Sequence, residues 1–193
     1  MGMKIAEILD EGFVETFNRV QAYLDAGKIP NCLILRGLTA EARKAGSFEQ
    51  FQADYIGQIK HGLYWHWTQE SNFQINPALG PRDMSSFGAG KITPGALMIT
   101  SDLPYWSNYG EGGKPRPYVA LIDMTAVPRN AYQQVNRGFG NEFYVRDPSA
   151  ARVLKVMTPQ QAYRLDRDQH QWLPQNFSQL EKFYQLVVGN PHK

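Results

Sequence analysis

The stretch RGFGNEFYV, residues 137–145, is the segment that decides most about the fold of this chain. Gly138 and Gly140 allow backbone conformations that other residues rarely adopt, which is typical of a tight turn. The aromatic and β-branched residues 143–145 favour a strand. Glu142 lies at the predicted start of that strand, where a rigid element holds a carboxylate beside a turn that can contact a ligand. This arrangement suits a catalytic acid, and the alternative is a solvated glutamate at a hairpin corner.

Further strands are predicted on either side of this segment. Runs of apolar, aromatic and β-branched residues alternate with turns that are rich in Gly, Pro, Asn and Ser. These runs lie at 63–68, 96–100, 118–122, 142–145 and 152–157. A polar stretch at 69–94 is too long for an ordinary connection in a compact domain, which is typical of a functional or mobile loop.

Helices are predicted near both ends of the chain. Apolar residues recur every three or four positions at 4–26 and 47–59, and shorter helices are expected at 159–166 and 178–188. Ser47 is followed three residues later by Gln50, which is a capping-box pattern. The apolar run at 33–35 fits either type of element. We therefore expect an α+β protein with a mostly antiparallel sheet, in which residues 1–60 form an N-terminal helical region and residues 61–193 form the main domain.

Composition excludes several classes of protein. The 193 residues are 42% hydrophobic and 20% charged, which is ordinary for a globular protein and argues against disorder. The net charge of +2 and the lack of a basic run are unlike strong nucleic-acid binders. A single cysteine, Cys32, excludes an internal disulfide, and with four scattered histidines it gives no basis for a metal site.

The expected location is the cytoplasm. The N-terminus has no basic region followed by an apolar core, as a secretory signal would have, and no apolar run approaches the length of a membrane span. Export by a route without such a signal stays open.

Two more segments carry side chains suited to chemistry. In the first, YWHWT at 64–68, strand alternation places Tyr64, His66 and Thr68 on one face and the two tryptophans on the other, which we expect to face the core. The alternative for His66 is a core histidine bonded to a backbone carbonyl. In the second segment, 98–109, a strand ends in hydroxyl residues and leads to a turn with two tyrosines. The rings of those tyrosines are suited to stacking on a flat ligand. The alternative is that they are ordinary surface and core aromatics.

The order of these three segments resembles that of the ADP-ribosyltransferase superfamily, in its branch built on a His, a Tyr and a Glu. The pattern is a strand with His-x-Thr, a strand with Ser followed by Tyr, and Gly-x-Glu opening a strand, over residues 60–157. The resemblance implies a split antiparallel sheet and a transferase that cleaves the bond between nicotinamide and ribose of NAD. ADP-ribose would then pass to a macromolecular acceptor, either a protein or a nucleic acid.

The resemblance also implies roles for individual residues. Glu142 would hold the ribose 2′-hydroxyl and stabilise an oxocarbenium-like transition state, His66 would bond a ribose hydroxyl of the adenosine half, and the backbone of Trp67 would read the nicotinamide amide. Tyr109 would stack on the nicotinamide ring, with Tyr105 as the second choice. Additional NAD contacts are expected from Thr68, Ser101 and, on charge alone, from Arg82 at the pyrophosphate.

The chain departs from the family at two positions. Trp67 follows the histidine where the family often has glycine, so the wall of the pocket would differ. Gly140 lies two residues before Glu142, where arginine-modifying members have Gln or Glu, and this counts against arginine as the acceptor.

Other interpretations stay open. NAD hydrolysis without an acceptor is one. A non-catalytic module that binds a nucleotide or a single strand by stacking is another, and hydrolysis of a glycosidic or phosphoester bond by the carboxylate and histidine is a third. The N-terminal helices pack on the main domain or act as a partner-binding or inhibitory lid. Many small members of the family are toxins or effectors, which makes that setting the expected one, without a membrane role.

Overall fold

The computed structural model describes residues 5–56, 61–75, 97–101, 103, 116–134, 142–145 and 147–189. Within these ranges the protein has the predicted α+β class, with α-helices and a wholly antiparallel sheet. The chain divides into two compact units. One comprises residues 1–61 together with 167–193, and the other comprises residues 62–166.

The helices lie near the ends of the chain, as expected. They are α1 (Ile5–Asp25), α2 (Leu33–Lys44), α3 (Phe48–Ile56), α4 (Pro159–His170) and α5 (Phe177–Val188). Over the described part of the chain, no helix combines the length and apolar character that crossing a membrane requires.

Local sequence explains where several helices begin and end. Gly27 has a φ of +63°, which favours glycine, and its backbone N–H bonds the carbonyl of Leu24 as α1 ends. The hydroxyl of Ser47 accepts a hydrogen bond from the backbone N–H of Gln50 at 3.2 Å, so the predicted cap of α3 is confirmed. Asn176 caps α5 in the same way through the N–H of Gln179, at 2.9 Å.

The core of the helical unit combines both ends of the chain. Helix α5 contacts α1, α2 and α3. Its apolar side chains Leu180, Phe183 and Val187 recur at helical spacing and are buried among residues such as Leu35 and Phe51. The expected main domain extended to residue 193, whereas the structure groups residues 167–193 with the N-terminal helices. The reason is that α5 has a full apolar face, which it buries there.

The strands form one sheet within residues 62–166. They are β1 (Leu63–Thr68), β2 (Leu97–Thr100), β3 (Tyr118–Asp123), β4 (Tyr132–Gln134), β5 (Glu142–Val145) and β6 (Arg152–Met157). Their order in the sheet is β4-β5-β2-β1-β3-β6. Five of the six strands lie where the sequence predicted them, within one residue at either end, and β4 was not expected.

The sheet has two well-paired halves that meet at one point. Strand β1 pairs with β3 along its whole length, from Leu63 opposite Asp123 to Thr68 opposite Tyr118. Strand β2 pairs with β5 along its whole length as well. Between β1 and β2, however, the register consists of Trp65 opposite Thr100 alone. The regular ladder between β1 and β2 is therefore confined to this pair.

Candidate functional site

A small cleft lies beside β1 and β2. It is lined by residues 65–67 of β1, residues 98–100 of β2 and Arg116. Its enclosed volume is about 10 Å³, which is room for about one water molecule and far below the roughly 300–1,000 Å³ of sites that enclose a drug-sized ligand. The space that the described residues enclose is therefore too small for an aromatic ring.

His66 lies in this cleft and bridges the two strands. Its Nδ1 is 2.7 Å from the backbone carbonyl oxygen of Met98 on β2. Buried backbone carbonyls need a hydrogen-bond partner, and in a continuous ladder that partner is the N–H of the neighbouring strand. The imidazole of His66 is a partner of the Met98 carbonyl, so a side chain joins the two strands near their register pair.

The protonation state of His66 follows from its surroundings. Burial lowers the pKa of the imidazole to about 4. The hydrogen bond to Met98 acts in the opposite direction, and the positive charge of Arg116 lowers the pKa further. The ring is therefore neutral at pH 7. Because a carbonyl can only accept, Nδ1 carries the proton and Nε2 is an acceptor.

An aromatic ring covers the imidazole. Phe73 packs on His66 with 4.5 Å between the ring centroids and 31° between the planes. Phe73 is half-buried and lies in the first, described part of the long polar stretch. The contact restricts the ring of His66, which keeps Nε2 in a defined direction.

Arg116 is a residue of the cleft that the sequence analysis did not single out. Its guanidinium donates from Nη1 to the backbone carbonyl of Trp67, with 3.1 Å between the two atoms. The position follows from the register, because Tyr118 is opposite Thr68 and Arg116 precedes Tyr118 by two residues. The sequence shows an arginine just before a strand. It does not show that this strand pairs with the strand of His66.

The other residues of β1 differ in part from expectation. Trp65 and Trp67 are buried, as expected for core residues, and the indole N–H of Trp65 donates to Asp166 at 3.1 Å. Tyr64, expected on the ligand-facing side, is also buried and packs edge-on against Phe143. Both faces of the strand are therefore covered.

Two hydroxyl residues of the predicted site lie outside this cleft lining. Thr68 is buried, and its Oγ1 accepts a hydrogen bond from the backbone N–H of Glu70 at 3.1 Å, which stabilises the turn after β1. Ser101 is half-buried directly after β2. Its hydroxyl oxygen is buried and has no hydrogen-bond partner among the described residues.

The carboxylate segment reaches the same part of the sheet. The backbone of Glu142 opens β5 opposite Thr100 of β2, and Thr100 is in turn opposite Trp65 of β1. Three residues distant in sequence thus form one row across adjacent strands. His66 is the next residue of β1, and strand alternation places its side chain on the face opposite to that of Trp65. Three other predicted site residues, Arg82, Tyr105 and Tyr109, lie outside the described residues.

A metal site has no support in the described part of the chain, where no group of three or more His, Cys, Asp or Glu side chains is arranged to hold an ion. The cleft instead offers a neutral imidazole acceptor, a guanidinium and backbone groups on a mostly apolar wall. These groups suit hydrogen bonding to a polar ligand.

Comparison with known proteins found no family model that matches the sequence, no curated protein similar to it and no solved structure similar to the fold.

Proposed function

We propose that this protein is an NAD-dependent ADP-ribosyltransferase. The observation that supports the proposal is the adjacency of β1, β2 and β5 in the sheet. These are the strands that contain His66, lead into Ser101 and begin with Glu142. The sequence resemblance used only their order along the chain, so their meeting in space is an independent observation.

The state of His66 fits the role that the resemblance implies. A ribose hydroxyl has a proton to donate, and the neutral imidazole presents Nε2 as an acceptor while Nδ1 is held by Met98. A protonated histidine would offer a donor at both nitrogens and would lose this contact. The low pKa therefore supports binding of a hydroxyl over a broad range of pH.

The cleft offers a backbone acceptor for the nicotinamide end of NAD. The carbonyl of Trp67 lies at the cleft and has a second lone pair besides the one that Arg116 uses. That lone pair can accept from the carboxamide of nicotinamide, which is the backbone contact expected from the resemblance.

The proposed reaction breaks the bond between C1′ of the ribose and the ring nitrogen of nicotinamide. The bonding electrons go to that nitrogen, which becomes neutral, and positive charge develops on the ribose. The carboxylate of Glu142 would stabilise that charge. A nucleophile of the acceptor then bonds to C1′ and releases its proton, or water does so in NAD hydrolysis. The acceptor is a protein or a nucleic acid, and a toxin or effector setting is part of the proposal.

Labelled NAD tests the proposal. The purified protein is incubated with NAD labelled in its adenylate part and a cell lysate, and protein and nucleic acid are then separated. The matched variants are Glu142→Gln and, as a control, Glu181→Gln, which changes an exposed glutamate on α5. Label on either fraction that is lost only in Glu142→Gln supports the transferase and identifies its class of acceptor.

Other outcomes have distinct meanings. Free ADP-ribose that depends on Glu142, without labelled polymer, supports NAD hydrolysis. Absence of any NAD consumption that depends on Glu142 contradicts the proposed reaction and favours a non-catalytic binding module.

A further inference from the structure

The guanidinium of Arg116 has little compensation for its charge in the described structure. It is half-buried at the cleft and makes one hydrogen bond, to the carbonyl of Trp67. An arginine has five N–H donors, so most of them are available to a ligand.

No carboxylate among the described side chains forms an ion pair with Arg116. Ion pairs elsewhere in the described ranges include those of Lys44 with Glu41, Arg167 with Asp168 and Lys182 with Asp25. The described lining of the cleft also contains no acidic residue. Removing a charge from water costs free energy unless an opposite charge or several hydrogen bonds offset it. An anionic group of a ligand would provide that offset.

The planar fork of a guanidinium matches the oxygens of a phosphate in two parallel hydrogen bonds. The same charge also disfavours protonation of His66, with which it shares the cleft. One residue would thus bind the anionic part of a ligand and help to keep the neighbouring imidazole an acceptor for a hydroxyl. A ligand with a phosphate next to a ribose satisfies both groups.

We infer that Arg116 binds the pyrophosphate of NAD and makes the cleft selective for phosphorylated nicotinamide ligands. This inference rests on the proposed function for the identity of the ligand. It assigns to Arg116 the contact that the sequence analysis expected from Arg82.

Calorimetric titration with three ligands tests the assignment. NAD and ADP-ribose contain the pyrophosphate, whereas nicotinamide riboside has the ring and the ribose without any phosphate. The variants are Arg116→Gln, Arg116→Lys and, as a control, Arg152→Gln, which changes an exposed arginine on β6 of the same sheet. Thermal unfolding of each variant checks that it is folded, and Arg116→Lys keeps the charge if the Gln variant does not fold.

The expected result is selective. Loss of charged hydrogen bonds should weaken NAD and ADP-ribose about 10- to 100-fold in Arg116→Gln. Nicotinamide riboside should change less than about twofold, and the Lys variant should be intermediate because it keeps the charge without the fork. Equal weakening of all three ligands, or no weakening of NAD, overturns the assignment.

The two proposals fail in different ways. If the wild type binds NAD but Arg116→Gln binds it as tightly, the Arg116 assignment is wrong and NAD binding stands. If the wild type binds neither NAD nor nicotinamide riboside, yet binds ADP-ribose in a way that Arg116→Gln abolishes, the proposed function is wrong and the anion site is supported. If it binds none of these ligands, both are wrong.

Discussion

The imidazole of His66 on β1 and the backbone carbonyl of Met98 on β2 are joined by a hydrogen bond of 2.7 Å. The two neighbouring strands have one register pair, in which Trp65 of β1 lies opposite Thr100 of β2. A side chain thus completes the hydrogen bonding of the sheet at the point where the candidate site lies. The fold and the candidate site therefore share His66, and substitutions of this residue test both.

Replacing His66 by Phe should destabilise the protein. The substitution keeps a ring near Phe73 but removes the donor, so the Met98 carbonyl loses its partner at a cost of about 1–3 kcal/mol. Phe73→Leu is the matched control, since it removes the ring contact and keeps the hydrogen bond. Urea unfolding at pH 7 compares the variants. A His66→Phe variant as stable as the wild type would show that the hydrogen bond is dispensable.

Stability should fall between pH 6.5 and pH 4 because of His66. The pKa of its imidazole is about 4 in the folded protein and about 6.5 in an unfolded chain. The unfolded state therefore binds the extra proton throughout that window. The stability contributed by the neutral imidazole is fully present above pH 6.5. It is lost progressively as the pH falls toward 4, and the total loss is about 3 kcal/mol.

His66→Asn, which does not titrate, isolates this effect from that of the carboxylates. The free energy of unfolding is measured for both proteins at pH 7 and at pH 4.5. Between pH 7 and pH 4.5, the free energy of unfolding should fall more in the wild type than in the variant. A difference that is the same at both pH values would rule out a depressed pKa at His66.

Glu142→Gln should remove catalysis and preserve binding. The amide keeps the size of the side chain but cannot stabilise positive charge on the ribose, which predicts a loss of about 100-fold or more in the rate of NAD consumption. The dissociation constant of NAD should change by less than about threefold. Single-turnover rates and calorimetry measure the two quantities, and a parallel loss of rate and affinity would make Glu142 a binding residue.

The helical unit should depend on its last helix. Phe183 on α5 has no exposed surface, whereas Phe177 at the start of the same helix is 56% exposed. Phe183→Ala should lower the free energy of unfolding by about 3–5 kcal/mol because it leaves a cavity in the core. Phe177→Ala should cost less than about 1 kcal/mol. Chemical unfolding followed by circular dichroism distinguishes the two, and similar losses would contradict the packing of α5.

Two elements were missed in the sequence for different physical reasons. Helix α2 begins with three apolar residues that fit a strand equally well, its N-cap Cys32 makes no side-chain capping bond, and Gly37 lies inside it. Its apolar face, which includes Leu38, favours the helix over a strand only when it packs in the helical core. Strand β4 has three residues, two of them glutamines, and is a strand because it pairs with β5.

The sequence by itself determined the α+β class, most helices and strands, and the order of the histidine, hydroxyl and carboxylate segments. These follow from local periodicity, turn residues and caps, which act over a few positions of the chain. The tertiary structure alone decided that α5 belongs with the N-terminal helices, that β1, β2 and β5 are adjacent, and that Arg116 lies beside His66. Such pairings join residues tens of positions apart, and they depend on packing and register across the whole sheet, which no local pattern encodes.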